Sequence, residues 1–232
     1  MAKPVDKIEK YRYERKFLVS ELTKHEIESI VRLHPAMFIE AYPPRFVNNV
    51  YFDSSALANY FENADGIMNR TKVRIRWYGD LLGFIEKPVL EFKIKKGLLG
   101  RKVSFPLPAL SVDLNFQRET ITEVLNKAEI PDAIKLDLLS WEPALLNRYR
   151  RKYFQSADHD YRITIDSDME FYMINARNNT FLHKSADVVR TIVELKYDPD
   201  KDGGAEAITN FFPFRLSKNS KYADGIERLY YW

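Results

Sequence analysis

Lys72-Val73-Arg74-Ile75-Arg76-Trp77-Tyr78 is the stretch that decides the fold. Side chains of a β-strand alternate between two faces with a period of two. Read as a strand, this segment puts Arg74 and Arg76 on one face and Val73, Ile75 and Trp77 on the other. The same division recurs in Arg12-Tyr13-Glu14-Arg15-Lys16-Phe17 and Leu90-Glu91-Phe92-Lys93-Ile94-Lys95. It returns in Tyr149-Arg150-Arg151-Lys152-Tyr153-Phe154, Arg162-Ile163-Thr164-Ile165-Asp166 and Val193-Glu194-Leu195-Lys196-Tyr197. Faces of this kind, brought together, make a cationic cavity holding a few carboxylates. Such a cavity suits a polyphosphate chain and a divalent metal.

One alternating strand with a polar face is ordinarily half of a sheet facing water. Two features set this group apart. The polar faces are rich in Arg rather than in the usual mixture of Thr, Ser, Lys and Glu. There are also more such strands than one water-facing sheet needs. Periodicity does not separate an open cationic sheet from a closed cationic tunnel, but closure removes exposed strand edges. Like charges lining a tunnel are costly when it is empty. Ion pairs with Glu14, Glu91, Glu194 and Asp166 are expected to offset part of that cost.

The composition narrows the alternatives. The 232 residues suit one domain, and 45% hydrophobic with 30% charged residues is a globular balance. Formal net charge is only +3, so a polyanion site must arise from clustering rather than from a global field. There is no cysteine, which excludes disulfides and thiolate chemistry. No apolar run reaches the length of a membrane span, and Met1 to Lys10 lacks a signal-peptide core. A soluble cytoplasmic protein is expected.

Along the chain, strands are expected at Tyr11–Val19, Val47–Phe52, Thr71–Tyr78, Pro88–Lys95, Arg101–Leu107, Leu145–Phe154, Tyr161–Asp166, Thr180–Leu182 and Val188–Tyr197. Helices are expected at Glu21–Leu33 after a Ser20 cap, and after Asp53-Ser54 up to Gly66. Others are expected after a Thr120/Glu123 capping box, at Asp132–Ser140, at Ala205–Phe212 and at Ala223–Tyr230. Asp198–Gly204 reads as a loop, and no linker divides residues 1–232. The fold class expected is α+β, eight or so long antiparallel strands around a barrel with helices covering part of the outward apolar face. Trp77 and Trp141 are expected to pack helices onto it, and Trp232 to be exposed. Arg150 and Lys152, out of phase with Arg151, should face outward. Arg101 and Lys102 belong to a hairpin turn that can reach a tunnel mouth.

Several stretches together resemble the triphosphate tunnel metalloenzymes, and within them the VTC (vacuolar transporter chaperone) catalytic domain. They are Glu14–Val19, Val50–Asp53, Lys72–Arg76, Leu90–Lys93, Tyr149–Gln155, Arg162–Asp166, Val193–Tyr197 and Ser217–Tyr222. They occur in the family's order over nearly the whole chain, and the fold that the resemblance implies is an eight-stranded antiparallel β tunnel with helices packed outside. The resemblance implies that Lys16, Arg74, Arg76, Lys93 and Arg151 handle the reacting phosphates. It also implies that Arg12, Lys196, Lys218 and Lys221 help to bind the chain, and that Glu194, with Glu14, holds Mn2+ or Mg2+. The reaction implied is transfer of the γ-phosphate of ATP to the end of a polyphosphate chain. The sister branch of cyclases and thiamine triphosphatases opens with Glu-x-Glu-x-Lys. This chain has Arg12, Glu14 and Lys16 there, and one carboxylate fewer disfavours a two-metal hydrolase.

The chemistry is coherent without the resemblance. Phosphoryl transfer mostly requires positioning and charge neutralisation. Arg forks match phosphate oxygens, and a hard cation takes oxygen ligands. His25, His34, His159 and His183 show no metal-ligand spacing, and Gly97-Leu98-Leu99-Gly100-Arg101-Lys102 is not a Walker loop. Two alternatives stay open: a triphosphatase of the same fold, and a non-catalytic polyanion-binding module. Nucleic acid is not an expected partner, because Trp77, Phe92 and Phe154 lie opposite the basic residues.

Overall fold

The computed structural model describes residues 7–8, 10–175 and 179–230; Trp232, expected to be exposed, lies outside them. The strands are β1 (Lys7–Ile8), β2 (Arg12–Val19), β3 (Ile39–Asp53), β4 (Asn69–Tyr78), β5 (Gly83–Ile85), β6 (Val89–Lys96), β7 (Leu99–Pro106), β8 (Leu110–Val112), β9 (Glu142–Gln155), β10 (Tyr161–Met173), β11 (Lys184–Asp187) and β12 (Thr191–Tyr197). The helices are α1 (Lys24–Arg32), α2 (Ala58–Ala64), α3 (Arg118–Lys127), α4 (Asp132–Leu139), α5 (Asp202–Asn210) and α6 (Lys221–Tyr230).

Eight strands close into an antiparallel ring in the order β2-β12-β10-β9-β3-β4-β6-β7, with β7 returning to β2. The closing seam is short, pairing Arg12 with Gly100 and Tyr13 with Leu99. β1 adds to β7, β11 adds to β10, and β5 and β8 form a separate ribbon. Alternation then gives the ring an outer apolar face, and an inner face that carries the charged side chains of β2, β4, β6, β9, β10 and β12.

Two apolar clusters lie outside the ring. Val73, Ile75, Trp77, Leu90 and Phe105 pack under α3 and α4, with Trp141 at the edge. Phe17, Ile163, Ile165, Val193 and Leu195 pack under α1 and α5. Burial of such side chains is the main force holding helices to the ring, at ~25 cal/mol per Å2 of apolar surface. A third cluster is different. Tyr222, Ile226 and Leu229 of α6 meet Leu145 and Tyr149, which share a strand face with Arg151. α6 therefore closes one end of the ring from within instead of covering it from outside. Gly225 is required there, since a Cβ would stand 2.5 Å from Leu145 Cδ2 and 2.7 Å from Phe171 Cδ1.

Several boundaries differ from the sequence reading, each for a local reason. α1 begins after Thr23, because Thr23 and Glu26 form a reciprocal capping box that Ser20 and Glu21 do not. α3 is likewise capped by Gln117 with Thr120, so Thr120 lies inside the helix rather than at its cap. Asp53 caps α2 from a distance, accepting from the backbone N–H groups of Asn59 and Tyr60 at 2.9 and 3.0 Å. β3 starts at Ile39, eight residues before the expected Val47. Its ladder skips register around Tyr42 and Arg45, which accommodates Pro43 and Pro44. β10 runs on past Asp166 through a bulge at Ser167/Glu170. The strand expected at Thr180–Leu182 is replaced by β11. Phe181 there has φ 52° and is buried as a loop residue, while Leu182 is exposed. Asp198–Gly204 is not a loop, since a 3-10 turn at Pro199–Lys201 runs directly into α5.

Candidate functional site

The interior of the ring is a cavity of about 1380 Å3. Four carboxylates are shared among the cations that line it: Glu14 and Glu194 at its surface, and Glu91 and Asp166 buried behind those cations. Glu91 faces Arg74 at 2.7 Å, Lys102 at 2.9 Å and Arg76 at 3.6 Å. Asp166 takes a bidentate pair from Arg151, both bonds 2.6 Å, and Lys221 at 2.6 Å. Glu194 lies 2.6 Å from Lys196, 3.4 Å from Lys16 and from Arg151, and 3.8 Å from Lys221. Glu14 faces Lys93 at 2.7 Å and Lys196 at 3.6 Å. Asp166, Glu91 and Glu194 are buried, as are Arg76, Arg151 and Lys221.

Strand register explains these meetings. β12 pairs Glu194 with Lys16 and Lys196 with Glu14 across to β2. β10 pairs Asp166 with Arg151, and β4 pairs Arg74 with Glu91. The guanidinium groups gain further ligands from aromatic hydroxyls on the same faces. Arg74 donates to Tyr51 Oη at 3.2 Å, and Arg76 to Tyr149 Oη at 3.0 Å. Arg76 also donates to Asn49 Oδ1 at 3.0 Å, and Asn49 to Asn147 Oδ1 at 2.8 Å.

The cations outnumber the carboxylates, and the protonation equilibria record it. Burial would raise the Glu194 carboxyl, but Lys196, Lys16, Lys221 and Arg151 outweigh that and hold it well below the usual range. Burial likewise opposes ionisation of Glu91, and Arg76, Arg74 and Lys102 overcome it. Burial pushes the Lys93 ammonium down to about 8, with Glu14 only partly offsetting it. Lys72 is the extreme case. It donates to Asn63 Oδ1 at 2.7 Å and to the Ser220 hydroxyl, and pairs with no carboxylate among the described residues. Burial, then Lys16, Lys93, Arg70 and Lys95, push its ammonium well below the ordinary lysine value.

Every residue that the sequence reading selected lies on this cavity, though not equally deep. Lys16, Lys93, Arg151, Glu14, Glu194, Lys196 and Lys221 form one connected set of ion pairs, and Arg74 and Arg76 form a second around Glu91, joined to the first through Tyr149. Arg12 and Lys218 line its margins, and Lys218 is exposed. Lys72, Tyr51 and Tyr149 were not selected. Their signal was parity, since Lys72 is in phase with Arg74 and Tyr149 with Arg151. Lys102 reaches past the mouth to Glu91, and Arg101 lies over the Tyr11 ring at 5.2 Å. Lys152 pairs outward with Glu28 of α1, and Arg150 is exposed. Trp77, Phe92 and Phe154 do pack with the outer clusters. Tyr78 and Tyr153, however, carry aromatic rings onto the cavity side of the same strands. His34 is a core histidine, its Nδ1 accepting from the Ala36 N–H at 3.0 Å.

Hard divalent cations take oxygen donors. Among the described residues no group of three or more acidic or histidine side chains could hold one. Glu14 and Glu194 do converge on Lys196, and Glu14 Oε1 is buried without a hydrogen-bond donor. Two carboxylates with one unsatisfied oxygen fit a cation that arrives with phosphate and water oxygens completing its shell.

A family model described as VTC domain matches residues 11–230. No curated protein matches the chain. Similar solved structures include the PH1819 protein from Pyrococcus horikoshii OT3, at 12% identity and TM-score 0.51, covering 94% of this chain and 99% of that one. The "putative adenylyl cyclase HpAC1" from Hippeastrum, reported to have a dominant triphosphatase activity, aligns at 12% identity and TM-score 0.52 over 94% and 95%. A "putative adenylate cyclase" from Bacillus halodurans aligns at 15% identity and TM-score 0.51 over 94% and 97%. At these identities the likeness is one of fold.

Proposed function

Because the chain belongs to the VTC domain family, we propose that it transfers the γ-phosphate of ATP onto the end of a polyphosphate chain inside its basic barrel. The observation that carries this reading is the closed ring in which the cations lining the interior outnumber the four carboxylates they share. A phosphate chain supplies the missing negative charge.

In this reading Arg74, Arg76 and Arg151 turn part of their donor capacity from Glu91 and Asp166 to phosphate oxygens. Guanidinium forks suit that exchange because carboxylate and phosphate present similar oxygen pairs. Lys16, Lys93 and Lys221 add compact charges, and Arg12, Lys196 and Lys218 guide the chain. A terminal phosphate oxygen of the chain attacks the γ-phosphorus. The bond from that phosphorus to the β–γ bridging oxygen breaks, and ADP leaves with the electron pair. The attacking oxygen is already ionised at neutral pH, so no protein nucleophile or base is required. Mn2+ or Mg2+, held by Glu194 and Glu14, would neutralise charge on the transferred group when bound. The site's own residues align donor and acceptor and exclude bulk water, which works through proximity and electrostatic preorganisation.

The second reading is hydrolysis of a triphosphate by water in the same barrel. The triphosphatase activity reported for the Hippeastrum protein favours it. Arg12, standing where the sister branch carries a glutamate, disfavours it. Among the described residues no helix is long and apolar enough to cross a membrane. Incubation with ATP and Mn2+ or Mg2+, followed by gel analysis, tests the assignment. Polymer accumulating alongside ADP supports it, whereas orthophosphate with no polymer overturns it in favour of hydrolysis.

A further inference from the structure

We infer that the rim formed by Tyr42, Arg45, Tyr78 and Tyr153 is a nucleobase platform, which gives the barrel a preference for nucleoside triphosphates over inorganic ones. The inference rests on the reading that the barrel binds a triphosphate. It adds a site for the part of the substrate that the charged interior does not address.

Register brings these side chains to one mouth. Arg45 pairs with Arg151 across β3 and β9, and Tyr42 with Tyr153. Tyr78 lies two residues beyond Arg76 on the same face of β4, and Tyr153 two beyond Arg151 on β9. All four line the same cavity as the phosphate-binding candidates. The Arg45 guanidinium sits over the Tyr78 ring at 4.0 Å and over the Tyr153 ring at 5.0 Å. Its Nε donates to Tyr153 Oη at 3.1 Å. Tyr42 meets Tyr153 edge-on at 5.8 Å and 88°. Arg151 in turn lies 6.0 Å from the Tyr153 ring, so rim and interior are continuous.

The fold does not call for this arrangement. Tyr42 is 62% exposed and Tyr78 46%, and neither belongs to an apolar cluster. The register shifts around Pro43 and Pro44 place Tyr42 and Arg45 at the mouth. Flat aromatic faces and guanidinium planes are the surfaces on which bases stack. A nucleotide whose phosphates rest on Arg76 and Arg151 leaves its base at this rim. Inorganic triphosphate has nothing to place there.

The test is calorimetric titration of ATP and of tripolyphosphate, each with Mg2+, into the wild type, Y78A, Y78F and the double variant R45A/Y78A. Because these side chains are exposed, melting should show the variants folded. Loss of one stacking surface is expected to weaken ATP about tenfold, with tripolyphosphate changed less than twofold and Y78F close to wild type. Equal effects on both ligands, or no effect on either, would overturn the platform while leaving triphosphate binding intact. A wild type that binds neither ligand would overturn the triphosphate reading and the platform with it.

Discussion

Lys221 Nζ lies 2.6 Å from Asp166 Oδ2, so the first residue of the closing helix is anchored to a fully buried carboxylate in the barrel wall. Asp166 also holds both forks of Arg151. The position of α6 and the charge balance of the interior are therefore one problem. D166N leaves Arg151 and Lys221 without their main counter-charge. Breaking a buried pair from one side costs about 3–5 kcal/mol. The denaturation midpoint should fall accordingly, and tripolyphosphate should restore part of the loss. A variant as stable as the wild type would show that Asp166 does not anchor the helix.

Tripolyphosphate should stabilise the wild-type protein and do so less as salt rises. Ligand at about 100 times its dissociation constant adds about 2.7 kcal/mol, and contacts made by several Lys and Arg side chains are screened by ions. Thermal melts at low and moderate salt read both effects. A melting temperature unmoved by millimolar tripolyphosphate at low salt contradicts the site.

E194Q separates a metal ligand from a structural ion pair. As a ligand, Glu194 is needed for metal-dependent turnover, and its loss should lower activity by several powers of ten. Removing a negative charge from beside Lys16, Lys196 and Lys221 should leave tripolyphosphate affinity unchanged or raised. Metal-titrated assays with stability measured in parallel decide this. Near-normal turnover in the variant removes Glu194 from the metal site.

Lys72 predicts a pH dependence. Its ammonium is held below the ordinary lysine value by burial and by four neighbouring cations. Between that lowered value and the unfolded value of about 10.4, the unfolded chain binds one proton more than the folded chain at this residue. The charged Lys72 therefore destabilises the fold below that window, and the penalty is relieved as pH rises through it. K72M lacks this contribution. The wild-type melting temperature minus that of K72M should increase with pH, and a pH-independent difference contradicts the assignment.

Much of this site was legible because parity is rigid. Arg74 and Arg76 had to share a face, and Val73, Ile75 and Trp77 had to oppose them. Parity equally placed Lys72 and Tyr149 inside, but nothing in alternation ranks a Lys or Tyr above an Arg. Closure was legible through the family resemblance but not through alternation, since the β2–β7 seam rests on two residue pairs across a long sequence separation. Nor was the placement of α6. Helical periodicity marks an apolar stripe, not whether that stripe meets the outer or inner wall. The contacts of Tyr222, Ile226 and Leu229 with Leu145 and Tyr149, and the tight fit of Gly225 against Leu145 and Phe171, reveal which. The aromatic rim depends on register shifts around Pro43 and Pro44, which lie before the strand expected from the sequence at Val47–Phe52.

A crystal structure of the protein with tripolyphosphate and Mn2+ tests the central claim most directly. The account predicts phosphate oxygens within hydrogen-bonding distance of Arg74, Arg76 and Arg151 inside the ring, with the metal between the phosphates and Glu194. Tripolyphosphate bound only at exposed residues such as Lys218, with the interior ion pairs of Glu91 and Asp166 undisturbed and no phosphate inside, would contradict it.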